Sequence, residues 1–251
     1  MMQNSNKMNF NHKWMSSLLL KLSLLFMFQL TLEPGVFKNH AFALANPQTP
    51  PIILGIIDSS PQKDFNEKIL PYLKSELTNC SSCTMKNYTP YDRDQNFNPL
   101  KLADQIEKAG SEATLIYLGW NEKLSETNKN VVEVLKKVVE SGKLIVSPTG
   151  FPADKEISAP LNKTVLGQIP KILIIGEMNE KERLLPKSFY GPEMLTALRL
   201  PKDLPEGIAP LMFASRLAEN YKKHSHEEWL ELLKNKKQKS RKIWPDLGDF
   251  F

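Results

Sequence analysis

Four sets of side chains in this chain could do chemistry. The first is Ile56-Ile57-Asp58-Ser59-Ser60, where an apolar run closes on a carboxylate and two hydroxyls. A carboxylate at the end of a buried strand stands where open α/β sheets bind ligands, so Asp58 is a candidate pocket acid. The same residues also suit a turn that caps a following helix, and both readings stay open. The second set is Cys80-Ser81-Ser82-Cys83, with the spacing of a redox dithiol. Such a motif opens a helix directly after a strand, whereas this one follows a helical stretch and lies in the polar run Thr-Asn-Cys-Ser-Ser-Cys-Thr. It reads as a structural disulfide loop joining Cys80 and Cys83 in an oxidising compartment. Third, Glu206 stands just ahead of a helical stretch, where backbone N–H groups and the helix dipole favour a carboxylate. Last, beyond residue 45 the histidines are His224 and His226, close to the C-terminal end of the sequence.

These groups need a frame, and the sequence beyond Pro51 alternates strand-like with helix-like segments. The continuous apolar run Ile52–Asp58 has the pattern of a strand buried on both faces. Residues 64–78 set Phe65, Ile69, Leu73 and Leu77 at helical spacing. A second strand is expected from Thr84 to Tyr88, a short helix over 99–109 and a third strand from Ala113 to Leu118. Ser125 can cap a helix whose apolar side carries Val131, Val134, Leu135, Val138 and Val139; Gly142 stops it, and Leu144-Ile-Val146 forms a fourth strand. Lys171-Ile-Leu-Ile-Ile175 is a fifth, followed by helices over 207–221 and around Trp229 to Leu233. Strands separated by helices imply a mainly parallel sheet covered on both faces, that is, a doubly wound α/β domain. No internal repeat is visible.

The chain has 251 residues, 41% hydrophobic and 24% charged, which excludes a disordered, collagen-like or polytopic membrane protein. Two cysteines are too few for a four-cysteine zinc site. The formal charge of +5 is unevenly spread: residues 1–45 hold four lysines and one glutamate, leaving 29 basic and 27 acidic residues and a charge of +2. A nearly neutral body gives no support to nucleic-acid binding. Residues 1–45 read as an export signal. Lys7, His12 and Lys13 precede an apolar stretch from Leu18 to Leu32, and Ala41-Phe42-Ala43-Leu44-Ala45 offers the small residues a signal peptidase reads. With Lys21 inside it, the stretch falls short of the roughly 20 apolar residues that span a bilayer. The expected organisation is a signal over 1–45, an α/β domain over 46–237 and a basic, aromatic tail over 238–251. No stable membrane span is expected after cleavage, and the protein is expected to be secreted or periplasmic.

Two stretches lift this above a generic α/β domain. One is Ser141-Gly-Lys-Leu-Ile-Val-Ser-Pro-Thr-Gly-Phe151, and the other is Ile169-Pro-Lys-Ile-Leu-Ile-Ile-Gly-Glu177 followed by Ser188-Phe-Tyr-Gly-Pro-Glu193. In this order and spacing they resemble the subtilisin-like serine proteases. There a helix ends in Ser-Gly, a strand runs into Ala-Gly-Asn, the next strand reads Tyr-Pro-x-Val-Ile-x-Val-Gly-Ala, and a Ser-x-x-Gly-Pro turn follows. Ile56-Ile57-Asp58-Ser59 is similar to the Val-Ile-Asp-Ser segment that carries that family's triad aspartate. The likeness runs from about Pro51 to Lys237, and it implies the subtilisin fold.

The departures fall on the chemistry. The family's nucleophile lies in Gly-Thr-Ser-x-Ala-x-Pro at the start of a buried helix; the matching stretch here is Leu204-Pro-Glu-Gly-Ile-Ala-Pro210, with Glu206 in the serine's place. Phe151 takes the place of the oxyanion-hole asparagine, either as a plug or as an aromatic that grips a peptide. The histidine block His-Gly-Thr-His has no counterpart. A serine becomes a nucleophile only when a positioned imidazole takes its proton, and losing one oxyanion donor alone costs on the order of a hundred- to a thousand-fold in turnover. The resemblance therefore implies a non-catalytic member of the fold, with Asp58 the one retained triad position, no cofactor and no metal. Asp58 paired with Glu206 would make a poor ligand set without a histidine or third carboxylate. The expected ligand is a peptide or protein in the old substrate cleft. Two alternatives remain: a divergent serine-type endopeptidase using a displaced serine such as Ser147 or Ser188, and an unrelated α/β binding domain.

Overall fold

The computed structural model describes residues 50–60, 63, 65–77, 80–94, 96–150, 159–185, 188–199 and 207–239. The chain divides into Met1–Thr49 and Pro50–Phe251, and every described residue belongs to the second unit. The expected signal over 1–45, Phe151, Glu206 and residues 240–251 of the tail lie outside the described residues.

Six strands form one sheet in the order β2-β1-β3-β4-β5-β6: β1 Ile52–Asp58, β2 Cys83–Asn87, β3 Leu115–Gly119, β4 Leu144–Pro148, β5 Leu173–Met178 and β6 Met194–Arg199. All five pairings are parallel. Parallel strands need crossovers over a face, so both faces are covered. In β1 the period-two alternation sends Ile52, Leu54 and Ile56 into one core and Ile57 into the other, with Ile53 packed beside it. Among the described residues the α-helices are α1 Leu70–Glu76, α2 Pro99–Glu112, α3 Lys129–Glu140, α4 Ile208–Asn220 and α5 His226–Lys239. Helices α2 and α3 pack on one face through Leu102, Ile106, Leu135 and Val138, while α1, α4 and α5 cover the other through Leu73, Phe213, Leu217 and Leu233. The doubly wound α/β reading holds.

Local chemistry sets the element ends. Asn98 accepts from Leu100 N at 3.0 Å and Pro99 opens α2, where a missing N–H costs nothing. Gly142, at φ 86°, follows the end of α3. The helix expected over 64–78 is instead a wider turn, Phe65–Ile69, followed by the short α1. Pro71 explains the break: its nitrogen cannot donate to the turn before it, and its ring crowds the carbonyl four residues back. The sixth strand has no counterpart in the sequence pattern. Met194-Leu-Thr-Ala-Leu-Arg199 holds one β-branched residue among helix formers, and its pairing with β5 overrides that preference. Cys80 and Cys83 are disulfide-bonded at the entry to β2.

Candidate functional site

The connection leaving β1 runs to β2 over one face through α1, and the one leaving its neighbour β3 runs to β4 over the other face through α3. Adjacent strands whose connections leave in opposite directions open a crevice at their carboxyl ends. A cleft of 280 Å³ lies there, between Asp58, Ser59 and Ser60 after β1 and Gly119, Trp120, Asn121 and Glu122 after β3. Gly150 and Gly207 also line it.

Asp58 is 6% exposed. Ser60 N donates to its Oδ1 at 2.7 Å, and Ser59 Oγ donates to Gly119 O at 2.7 Å, so Asp58 both braces the turn after β1 and lines the cleft. Tyr91 Oη donates to Asp58 O at 2.9 Å and also meets Ser60 O. Burial pushes the Asp58 carboxyl above its ordinary value, and the Ser60 hydrogen bonds only partly oppose it. Gly119 is required opposite: a Cβ there would run into Asp58 Oδ2. Asn121 frames the far wall, donating from Nδ2 to Thr149 O at 2.6 Å and accepting at Oδ1 from Leu166 N at 3.2 Å.

The second buried acid of this edge was not among the residues singled out above. Glu177, at the end of β5 and 4% exposed, accepts from Gly207 N at 2.9 Å and from Ala209 N at 3.1 Å. Gly207 is the N-cap of α4 at φ 91°, a conformation that favours glycine. Pro210 has no N–H to satisfy, so Glu177 and Pro210 together dispose of three of the first-turn positions. The signal for Glu177 lies in the sequence: an apolar run ends on a carboxylate where the resembling pattern ends on alanine. Between the two acids sits Tyr117, whose phenol is held well above its ordinary range by burial first and then by Asp58 and Glu177.

Ser147 is fully buried in β4 and its hydroxyl donates to Leu118 O at 2.5 Å, while Ser188 is 5% exposed. His224, in the α4–α5 connection, packs edge-on against Trp229 at 4.8 Å. Burial pulls the His226 imidazole below its usual range, and its cationic neighbour is Lys171, which precedes β5 at the amino edge of the sheet. Asp58 ends β1 at the carboxyl edge. Among the described residues no group of three or more His, Cys, Asp or Glu could hold a metal ion, and no helix is long and apolar enough to cross a membrane.

Solved structures place this architecture. The chain is similar to a cold-adapted subtilisin-like serine proteinase at 8% identity and TM-score 0.54, with 74% of this chain and 82% of that one covered. It is similar to the S41 psychrophilic protease at 11% identity and TM-score 0.53, covering 74% of this chain and 83% of that one. A lanthipeptide protease matches at 10% identity and TM-score 0.51, over 72% and 79% of the two chains. At such identities the likeness defines the fold, which is subtilisin-like. No family model matches the sequence, and no curated protein matches it.

Proposed function

We propose that the chain is an exported, non-catalytic protein of subtilisin-like fold that binds a peptide or protein segment in the cleft beside Asp58. The observation that carries this reading is the Glu177 carboxylate, which takes the Gly207 and Ala209 N–H groups at the start of α4. In the resembling family the nucleophile lies at that helix start. Here the N-terminal N–H groups face a resident anion, so a developing oxyanion would meet negative charge instead of free donors. The distance in the fold between Asp58 and both histidines supports the same reading, because a serine without an imidazole stays a weak nucleophile. The layout of residues 1–45 supports export. What remains is a crevice of 280 Å³ at a topological switch point, the place where such sheets bind ligands.

The second reading, a divergent serine-type endopeptidase, is favoured by the proteases among the structural neighbours. Fluorophosphonate labelling of the purified protein from Asn46 onward separates the two. No labelling of the folded protein is expected. Labelling lost on heat denaturation would overturn the non-catalytic reading, and the modified residue would identify the nucleophile.

A further inference from the structure

We propose that residues 243–251 of this chain, Ile-Trp-Pro-Asp-Leu-Gly-Asp-Phe-Phe, dock in an apolar pocket at the amino edge of the sheet, opposite the Asp58 cleft. The inference is independent of the ligand-binding reading above.

The pocket itself is the first ground. It has a volume of 360 Å³ and lies where the chain enters β5 and β6, with Leu230 and Lys234 of α5 beside it. Ile169, Ile172, Leu173 and Met194 supply apolar wall. Sites of about 300–1,000 Å³ enclose small ligands, so this one takes one or two large side chains rather than a folded partner. It stands away from the carboxyl ends of β4 and β6, which lead into the undescribed segments 151–158 and 200–206.

Charge and backbone geometry are the second ground. Lys171 and Lys234 line the pocket, and neither has a carboxylate partner among the described residues. Glu193 is the one acid of the described lining, and its Oε2 is buried. Residues 235–242, which follow Lys234 in the chain, add lysine and arginine but no acid. Lys171 is held at φ 74°, a left-handed conformation that costs a residue with a Cβ and recurs where side chains are fixed for binding. The occupant that suits this lining combines apolar side chains with carboxylates.

Residues 243–251 have that composition: five large apolar side chains, two aspartates and no cation. Reach is no obstacle. Lys234 stands five residues before the end of α5, about 7.5 Å along the axis at about 1.5 Å per residue. Four extended residues beyond Lys239 span about 13 Å at about 3.3 Å each, which is enough to turn back to the pocket. Tethering also favours this segment over a free ligand, because a short linker holds it at an effective concentration of order millimolar.

The test is hydrogen exchange of the protein from Asn46 onward, read by mass spectrometry on the fragment holding residues 243–251. Their amides are expected to exchange about tenfold more slowly than those of a free peptide of the same sequence, and dilution should not change this. Lys171→Glu and Lys234→Glu, both at exposed positions, should each cut the protection about threefold while β3 stays protected. Trp244→Ala should abolish it, since it removes the largest apolar side chain of the segment. Lys136→Glu, at an exposed position of α3 on the other face of the sheet, should leave it unchanged. Exchange of 243–251 at the free-peptide rate in folded protein would overturn the inference. So would protection that survives both lysine reversals, which would put the segment elsewhere. Protection lost on dilution would overturn it too, by assigning the contact to a second copy.

Discussion

Two buried carboxylates stand at the carboxyl edge of one sheet, and the protein holds them in opposite ways. Glu177 ends β5 against the start of a 13-residue helix and receives N–H groups from Gly207 and Ala209. Asp58 ends β1 beside an open cleft and receives Ser60. The first is a structural anion whose charge is matched by fixed dipoles. The second is desolvated without equal compensation, and burial moves its carboxyl upward. The difference teaches where binding capacity resides: an acid already satisfied by the backbone has little left for a ligand, whereas one held short of partners retains it.

The strongest way to break this contrast is at Glu177. Glu177→Ala strands the Gly207 and Ala209 N–H groups at a buried helix start and is expected to cost about 3 kcal/mol of stability, read as a lowered urea midpoint with an unchanged slope. Glu177→Gln keeps an acceptor and loses the charge, so it should cost about half as much. If Glu177→Ala left the midpoint in place, the helix start would not depend on this carboxylate, and the main support for the non-catalytic reading would go with it.

The two acids were not equally legible. Asp58 could be found in the sequence because a strand pattern and a pocket acid coincide in five consecutive residues. Glu177 depends on a partner thirty residues away, and nothing local says that the carboxylate at the end of β5 will meet the helix at Ile208. Most of the frame was legible for the reason Asp58 was: apolar period and stop signals such as Gly142 are local. Where packing decides, the pattern misleads. Met194–Arg199 becomes a strand because β5 offers it a ladder, and Pro71 shortens a helix that the spacing of Phe65, Ile69, Leu73 and Leu77 makes look continuous.

A smaller effect sharpens the Asp58 side. Gly119→Ala drives a methyl into Asp58 Oδ2 and should cost about 2 kcal/mol as the turn after β1 shifts. Because the obstacle is that oxygen, Asp58→Ala in the Gly119→Ala background should recover most of the loss, a coupling measurable by a double-mutant cycle of denaturation midpoints. Additive losses would mean that the strand itself, and not the carboxylate, rejects the side chain.

The smallest expected effect decides the comparison. A carboxyl whose folded-state value is raised above 3.8 binds its proton more tightly folded than unfolded. Its contribution is therefore fully present below about pH 3.8 and is lost as the pH rises through the folded-state value. Asp58→Asn removes that titration while keeping an Oδ1 acceptor for Ser60. At pH 4.0 the variant should match the parent or fall slightly below it; at pH 7.5 it should equal or exceed it, with the difference between the two proteins moving in the variant's favour between those pH values. Glu177→Gln should be destabilised at pH 7.5 under the same conditions. If Asp58→Asn were destabilised as much as Glu177→Gln at pH 7.5, Asp58 would be a satisfied anion like its neighbour. If instead the variant equals or exceeds the parent there, the buried charge of Asp58 costs stability that the fixed dipoles around Glu177 spare its neighbour, and the two acids differ as their partners differ.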